Sequence, residues 1–320
     1  MPRPSDSAAV FFPGALGDFL CFLPTLRALR DRHAGQLLLI GTSALLELVE
    51  IPALATASID RREIADLFSV GQPTAPATKS LLGGFDYVYS WTGFGDADFR
   101  HRLSAVSGGR VAVFPFRGMR PAEHAVEYYA RCVGTAPLPL DATCIRRDQQ
   151  WCAAFRGRYQ FGDHRLFVLH PGSGSANKNW AGFDGVIRHW RQHHTDAIVV
   201  VHGPAETHTP AQCEPGVIAV DGLTLPQVAA LLHDVPLYLG NDSGISHLAA
   251  AVGARGVVVF GPSDPTVWAP RSTRLRVVHA PAPCGKCPAS DFCVHRLPAE
   301  SVVGVLEGQP TAVRAQHSSS

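Results

Sequence analysis

Four short segments of the chain combine glycines with acidic, basic or hydroxyl side chains, and each follows a run of apolar residues. They are Gly14–Asp18, His170–Trp180, His202–Glu206 and Gly240–Ala251, the last continued by Phe260–Trp268. Glycine lets backbone N–H groups approach a ligand closely, and the first turn of a helix leaves such groups without partners. We therefore interpret the four segments as ligand-binding loops.

Three of these loops carry the groups needed to bind a nucleotide. Ser173, Gly174 and Lys178 supply a hydroxyl, backbone N–H groups and a compact cation for phosphate. Their spacing is not that of a P-loop. A Lys178 side chain that is merely solvated remains an alternative. Glu206 is placed to accept two hydrogen bonds from a ribose diol, or to begin a helix. The Asn-Asp-Ser-Gly segment predicts a helix start, at which Asp242 fixes the loop by accepting backbone N–H bonds.

The first loop ends in Asp18, for which the sequence leaves two roles open. Asp is a common helix N-cap, which stabilises a helix by about 1 kcal/mol. A carboxylate at the same place is also a candidate general base. The two roles are compatible with each other.

The segments between the loops have the periodicity of alternating strands and helices. Continuous apolar runs predict buried strands, and apolar positions three to four residues apart predict helices. The predicted strands cover residues 8–12, 36–40, 87–90, 166–170, 197–202, 217–220, 237–240 and 257–260, and the predicted helices cover 19–30, 44–49, 183–193, 225–233 and 243–252. Such alternation is typical of parallel α/β sheets with right-handed crossovers.

The alternation restarts after residue 140, so we predict two doubly wound, Rossmann-like domains that face each other across a cleft. The predicted boundaries are 1–155 for the first domain and 156–308 for the second, with a disordered polar tail at 309–320. A chain of 320 residues is long enough for both domains. Because ligands of parallel sheets bind beyond the carboxyl ends of the strands, all four loops lie where a ligand is expected.

Composition limits the classes of partner. The formal net charge of +1 gives no global attraction to nucleic acid, so any anionic ligand is bound locally. Glycines and prolines interrupt the apolar N-terminal stretch, which argues against a signal peptide, and no later apolar run is long enough for a membrane span. We expect a cytoplasmic protein.

Three of the eight cysteines are spaced as metal ligands often are. Cys284, Cys287 and Cys293 lie in a proline-rich segment, and His279 or His295 is available as a fourth ligand for structural zinc. A loop with free thiols is the alternative interpretation. The remaining cysteines are predicted to be small apolar residues, mostly buried.

Taken in this order, the four loops resemble those of glycosyltransferase family 9, the bacterial heptosyltransferases of lipopolysaccharide core assembly. The resemblance spans residues 10 to about 300. It implies a GT-B architecture of the α/β class, with the acceptor in the N-terminal domain and the nucleotide sugar in the C-terminal one. It also implies an inverting transfer without a bound metal or other cofactor, in which the nucleotide sugar is a co-substrate.

The resemblance assigns roles residue by residue. Asp18 matches the catalytic base, and Lys178 stabilises the leaving phosphate. The nucleotide-sugar site comprises Gly17, Ser173, Gly174, Lys178, Glu206, Asp242, Ser243, Gly244 and His247. Four arginines are candidates for an acidic acceptor, with solvated surface positions as the alternative: Arg61, Arg62, Arg117 and Arg120.

The expected activity is transfer of heptose from ADP-heptose to a lipopolysaccharide-core or other cell-surface glycan. The partners are then the nucleotide sugar and a glycan or glycolipid acceptor, and such an acceptor is compatible with peripheral contact at the inner face of the membrane. No D-x-D pair follows a glycine-poor strand end, which agrees with metal independence. Two alternatives stay open: a nucleotide-sugar epimerase of similar fold and a non-catalytic nucleotide-sugar-binding protein.

Overall fold

A computed structural model of the chain describes residues 6–69, 74–162, 164–203, 206, 211–279 and 294–308. The chain divides into two compact units, Met1–Arg146 and Arg147–Ser320. Residue 155, where the sequence predicted the first domain to end, lies inside a helix of the second unit, Gln149–Arg158. This helix is N-capped by Asp148, whose backbone N–H donates to the carbonyl of Pro226, so it packs with the second unit.

The first unit is built on a five-stranded parallel sheet with the order β3-β2-β1-β4-β5. The strands are β1 (Ala8–Phe11), β2 (Leu37–Gly41), β3 (Leu54–Ser58), β4 (Tyr87–Ser90) and β5 (Arg110–Val113). The helices are α1 (Leu16–Arg32), α2 (Ser43–Leu48), α3 (Arg62–Ala65), α4 (Pro76–Leu82), α5 (Ala97–Ser107) and α6 (Ala125–Val133), with 3-10 turns at Asp66–Phe68 and Ala142–Cys144.

The second unit is built on a six-stranded parallel sheet with the order β11-β10-β9-β6-β7-β8. The strands are β6 (Leu166–His170), β7 (Ala197–Val201), β8 (Val217–Val220), β9 (Leu237–Asn241), β10 (Gly256–Val259) and β11 (Leu275–Val278). The helices are α7 (Gln149–Arg158), α8 (Phe183–His193), α9 (Leu225–Leu232), α10 (Gly244–Ala251), α11 (Pro265–Trp268) and α12 (Ala299–Leu306), with 3-10 turns at Ala176–Lys178, Ala211–Cys213 and Val294–Arg296.

Both sheets are doubly wound, as the sequence predicted. In each unit the chain starts in a central strand, builds one half of the sheet and then crosses to the other side of that strand. The crossing places β1 beside β4 in the first unit and β6 beside β9 in the second. These are the topological switch points at which open parallel sheets bind ligands, beyond the carboxyl ends of the strands.

The apolar strands are buried on both faces by the helices. In the first unit β1 is fully buried, and its neighbour Phe12 stacks on Phe22 of α1 with ring centroids 4.2 Å apart. In the second unit Trp180, Phe183 and Trp190 pack with the strands and with α12 in one core. Trp180 is therefore a core residue.

Within the described ranges, no helix combines the length and the apolar composition that crossing a membrane requires.

Candidate active site

Three of the sequence-predicted loops meet at one edge of the second sheet. They follow β6, β7 and β9, and these three strands are adjacent and parallel. His170 at the end of β6 is level with Gly240 of β9, so the loops leave the sheet at the same height. The strand order therefore brings together residues that are up to about 70 positions apart in the chain.

Lys178 and Asp242 form an ion pair across two of these loops. The Lys178 Nζ atom lies 2.7 Å from Asp242 Oδ2, and the Asp242 carboxylate is almost entirely buried. The sequence predicted that Asp242 accepts backbone N–H bonds, but the partner that the structure gives it is the lysine. The pair holds a cation beside the start of α10, where an anionic ligand is also favoured by the helix dipole.

The start of α10 is fixed by buried polar side chains. Ser243 is the N-cap, and its hydroxyl accepts from the Ser246 backbone N–H at 3.4 Å. Ser246 in turn donates to the backbone carbonyl of Asn241 at 2.6 Å and contacts the Tyr238 hydroxyl at 2.9 Å. Gly244 begins the helix, and His247 follows in its first turn, nearly buried. The loop is thus preorganised by its own contacts.

Asn241 connects this loop to the one after β6. Its side-chain amide donates to the carbonyl of Pro171, and its Oδ1 accepts from the backbone N–H of Trp180 at 3.3 Å. Asn241 lies in the fourth predicted loop, but no role was assigned to it from the sequence. Its complete burial at the end of a central strand depends on the tertiary fold, which no local pattern shows.

Ser173 and Gly174 lie in an exposed loop with little steric restriction. The Ser173 hydroxyl contacts the carbonyl of Ser175 and the Oδ1 of Asn179, each at 2.7 Å. A Cβ atom added to Gly174 would meet no atom within 4 Å. The loop therefore has open space beside it, into which a phosphate can bind.

Glu206 lies over Gly172, between two buried histidines. Its Oε1 is 3.8 Å from His170 Nε2, and its Oε2 is 3.8 Å from His202 Nδ1. A Cβ at Gly172 would be only 1.7 Å from Glu206 Oε1, so this position requires glycine for the carboxylate to stay where it is. Burial lowers the pKa of His170, which the charge of Glu206 only partly opposes. The two histidines begin the second and third predicted loops, but neither was assigned a role from the sequence.

A cavity of about 560 Å³ opens beside Glu206 and the Ser173 loop. Its size is within the usual range of small-ligand sites. The lining residues are Pro171, Gly172, Ser173, Gly174, Ser175, Ala176, Asn179, Trp180, Ala181, Phe183, Asp184, Gly203, Glu206 and Gln212. A larger cavity of about 1050 Å³ lies in the first unit, but it contains none of the predicted site residues.

Asp18 lies at the switch point of the first unit, in the first turn of α1. The N-cap of this helix is Ala15, which forms no side-chain cap hydrogen bond, so Asp18 is not the N-cap residue. Asp18 is nearly buried, and its Oδ2 is 3.5 Å from the Arg117 guanidinium. Burial and the negative charge of Asp18 raise the pKa of Tyr129 above its ordinary value, so that hydroxyl stays protonated.

A glycine also defines the position of Asp18. A Cβ at Gly14 would be 2.4 Å from the Phe12 ring and 3.0 Å from the Asp18 Cβ. Gly17 lies beside Asp18 in the same first turn. Gly17 thus lies in the first unit beside the Asp18 carboxylate, whereas the role predicted for Gly17 is in nucleotide-sugar binding.

Comparison with known proteins identifies the family of the chain. Residues 120–292 match the model of glycosyltransferase family 9 (heptosyltransferase), which is more than half of the chain. The chain belongs to this family. It is therefore a glycosyltransferase, in agreement with the expectation from its loops.

Relatives of this family 9 glycosyltransferase support the assignment at the level of sequence and fold. Lipopolysaccharide heptosyltransferase 3 of Escherichia coli is 37% identical over 62 residues, which is 19% of this chain and 18% of that protein. The match covers only a small part of either protein.

Solved structures match almost the whole chain. A family 9 glycosyltransferase from Veillonella parvula DSM 2008 covers 96% of this chain and 98% of its own, at 19% identity and a TM-score of 0.75. The E. coli ADP-heptose lps heptosyltransferase II covers 94% and 98%, at 16% identity and a TM-score of 0.68. E. coli heptosyltransferase WaaC with ADP covers 94% and 99%, at 16% identity and a TM-score of 0.63. The predicted α/β fold class, GT-B with two doubly wound sheets, is confirmed by these structures.

The four arginines suggested for the acceptor of this glycosyltransferase are all exposed. Arg117 contacts Asp18, whereas Arg61 pairs with Glu63 at 2.7 Å. Arg62 is the first residue of α3, and the backbone N–H of Arg120 donates to Glu123. Of the four, Arg117 is the one that the described part of the chain places within 3.5 Å of the carboxylate of the predicted base, so it is the strongest candidate.

Two further sequence features of the glycosyltransferase concern metals. The one Asp-x-Asp pair, Asp96 and Asp98, begins α5, where Asp96 is the N-cap and accepts from the Phe99 N–H at 2.9 Å. This carboxylate is thus engaged in capping. The predicted cluster of Cys284, Cys287 and Cys293 lies outside the described residues, as does the predicted tail at 309–320.

Proposed function

We propose that this glycosyltransferase transfers heptose from ADP-heptose to a glycan acceptor of the lipopolysaccharide core or another cell-surface glycan, with inversion and without a metal ion. The observation that carries the proposal is the edge of the second sheet, where Glu206, Ser173 and the Lys178–Asp242 pair surround the open ends of β6 and β9. The names of two structural neighbours, an ADP-heptose transferase and a heptosyltransferase with ADP, favour this donor.

The donor subsite is assigned by chemistry. The carboxylate of Glu206 accepts hydrogen bonds from the two ribose hydroxyls, and the cavity of about 560 Å³ beside it holds the nucleoside. The diphosphate then lies toward Lys178 and the backbone N–H groups at the start of α10, with Ser173, Gly174, Ser243, Gly244 and His247 around it. The roles of these residues are proposals.

The reaction follows from one base and one leaving group. Asp18 accepts the proton of the acceptor hydroxyl as the hydroxyl oxygen bonds to the anomeric carbon, and the bond from that carbon to the phosphate oxygen breaks. A positioned base of this kind contributes about 10²- to 10⁴-fold to the rate. A single displacement inverts the anomeric centre.

The leaving nucleoside diphosphate gains negative charge in the transition state. Lys178 and the N–H groups at the start of α10 are fixed before the reaction, so they stabilise this charge without reorganising. They supply the positive charge that a divalent cation supplies in metal-dependent transferases. Arg117, exposed and next to Asp18, is the proposed contact for an acidic acceptor.

A ligand screen tests the donor assignment. ADP and ADP-sugars, but not UDP or GDP, are expected to raise the melting temperature, since a ligand at 100 times its Kd adds about 2.7 kcal/mol of stability. A stronger response to UDP or GDP than to ADP would reject the adenine donor. Formation of an epimerised nucleotide sugar without acceptor would reject transfer.

A further inference from the structure

A cluster of two histidines and one glutamate joins two helices of the second unit, away from the proposed donor subsite. His189 lies in the second half of α8, His194 directly follows this helix, and Glu307 directly follows α12. His189 Nε2 is 3.0 Å and His194 Nε2 is 3.1 Å from the same oxygen, Glu307 Oε1. All three side chains are partly exposed, so an ion in solution can reach them.

The packing of the two helices fixes this meeting point. Near the start of α8, a Cβ at Gly185 would be 2.8 Å from the Cβ of Ala299, the first residue of α12. The starts of the helices are therefore in contact, and so are their ends, which makes the helices run side by side in the same direction. Val302 and Val303 of α12 are buried in the core against α8.

Both imidazole rings are held by neighbouring aromatic rings. His194 stacks on Trp190 with centroids 4.0 Å apart, and His189 stacks on His193 with centroids 4.3 Å apart. The Trp190 Nε1–H donates to Asp196 at 3.0 Å, which fixes the indole under His194. The Nε2 atoms thus point to Glu307 from supported rings, and little side-chain freedom is lost when they bind a ligand.

The three donor atoms have the chemistry and the spacing of a metal site. One ligand atom from each residue lies within 4.8 Å of the others. Zinc binds imidazole nitrogen and carboxylate oxygen at about 2.0 to 2.2 Å in a tetrahedron, whose corners are then roughly 3.3 Å apart. The two observed nitrogen-to-oxygen distances are close to that separation, so small side-chain movements suffice.

We propose that His189, His194 and Glu307 bind a divalent transition-metal ion, zinc by preference, with water as the fourth ligand. Two imidazole nitrogens and one carboxylate oxygen suit zinc and cobalt better than calcium or magnesium, which prefer oxygen ligands alone. The end of α8 leads into the start of β7, at the opposite edge of the sheet from Lys178 and Glu206. The site is therefore structural, and the ion links α12 to α8.

Cobalt and zinc titrations of the metal-free chain test the proposal. Cobalt bound here gives d–d absorption without a thiolate charge-transfer band, which separates this site from any binding by the cysteines. His194→Ala and Glu307→Gln are expected to weaken this binding by at least about tenfold. Zinc is expected to raise the melting temperature of the wild-type chain by more than that of the two variants, which keep the cysteines.

Two matched variants serve as controls. His101→Ala removes an exposed imidazole from α5, in the first unit, and Glu300→Gln removes a carboxylate from the first turn of the same helix α12. Both are expected to bind cobalt and zinc as the wild type does. Equal binding by wild type, His194→Ala and Glu307→Gln would overturn the proposal. A Glu307→Gln variant that loses the same stability with and without zinc would also overturn it, since the cluster would then be a hydrogen-bonded contact only.

Discussion

The Lys178 ammonium lies 2.7 Å from the buried carboxylate of Asp242, although 64 positions separate the two residues in the chain. The pair forms because β6 and β9 are neighbours in the sheet, so their loops meet. A cation is thereby held at the start of α10, where a diphosphate is expected to bind. The ion pair makes two roles of Lys178 separable by experiment.

Lys178→Ala is expected to weaken binding of the nucleoside diphosphate. A hydrogen bond to a charged group contributes about 1.5 to 3 kcal/mol, which corresponds to a roughly 10- to 150-fold increase in Kd. Titration calorimetry with ADP measures the change. An unchanged Kd would remove Lys178 from the donor site.

The Lys178→Ala, Asp242→Asn double variant is the control for the first prediction. If the lysine acts on the ligand directly, the double variant stays as weak as Lys178→Ala. If the lysine only neutralises Asp242, removing that charge restores binding, and the direct contact is rejected.

Gly172→Ala is expected to weaken nucleotide binding by displacing Glu206. The new Cβ would overlap the Glu206 carboxylate, so this flexible side chain has to rotate away from its present position. The charged hydrogen bonds to the ribose that are then lost contribute about 1.5 to 3 kcal/mol to binding. Gly157→Ala is the matched control, because a Cβ there meets no atom within 4 Å and the residue lies in α7, outside the proposed donor site. Equal Kd values for ADP in the two variants would contradict the assignment of Glu206 to the ribose.

The sequence predicted most of the strands that end at the site, but few of the contacts between the site residues. Apolar runs such as Leu166–His170 and Leu237–Gly240 became strands within a residue of their predicted ends, because buried parallel strands have nearly continuous apolar sequences. The edge strands β3 and β5 and helix α12 were not predicted. β3 is partly exposed and its sequence lacks a continuous apolar run, whereas β5 is a short strand with only three apolar residues.

The contacts within the site could not be predicted from the sequence. Lys178, Glu206 and Asp242 were singled out by residue type, but the Lys178–Asp242 pair depends on strand order, which single loops do not encode. Asn241 and His170 were missed as functional groups for the same reason, since their burial between strands comes from the tertiary fold. The capping alternative for Asp18 was decided by the position of Ala15 as N-cap.

Burial of His170 predicts a pH dependence of stability. Its pKa in the folded chain is lowered from the ordinary value of 6.5, so the unfolded chain takes up a proton first as the pH falls. The free energy of unfolding should therefore decrease as the pH falls below about 6.5. The buried His33, whose pKa is lowered chiefly by burial, contributes in the same direction.

Denaturant unfolding at about pH 5 and about pH 7.5 measures this effect. His170→Asn is expected to lose less stability between the two pH values than the wild type does. The exposed His101→Asn variant is the control and should behave as the wild type. A wild-type slope in the His170→Asn variant would show that His170 is not the group responsible.

The most direct test of the proposed mechanism is acceptor-dependent release of ADP from ADP-heptose by Asp18→Asn. We expect a rate lowered by about 10²- to 10⁴-fold with the Kd for ADP nearly unchanged, because the base acts on the acceptor hydroxyl. Asp98→Asn, which changes an exposed carboxylate in the first turn of α5, should keep the wild-type rate. Wild-type turnover by Asp18→Asn would rule out Asp18 as the general base.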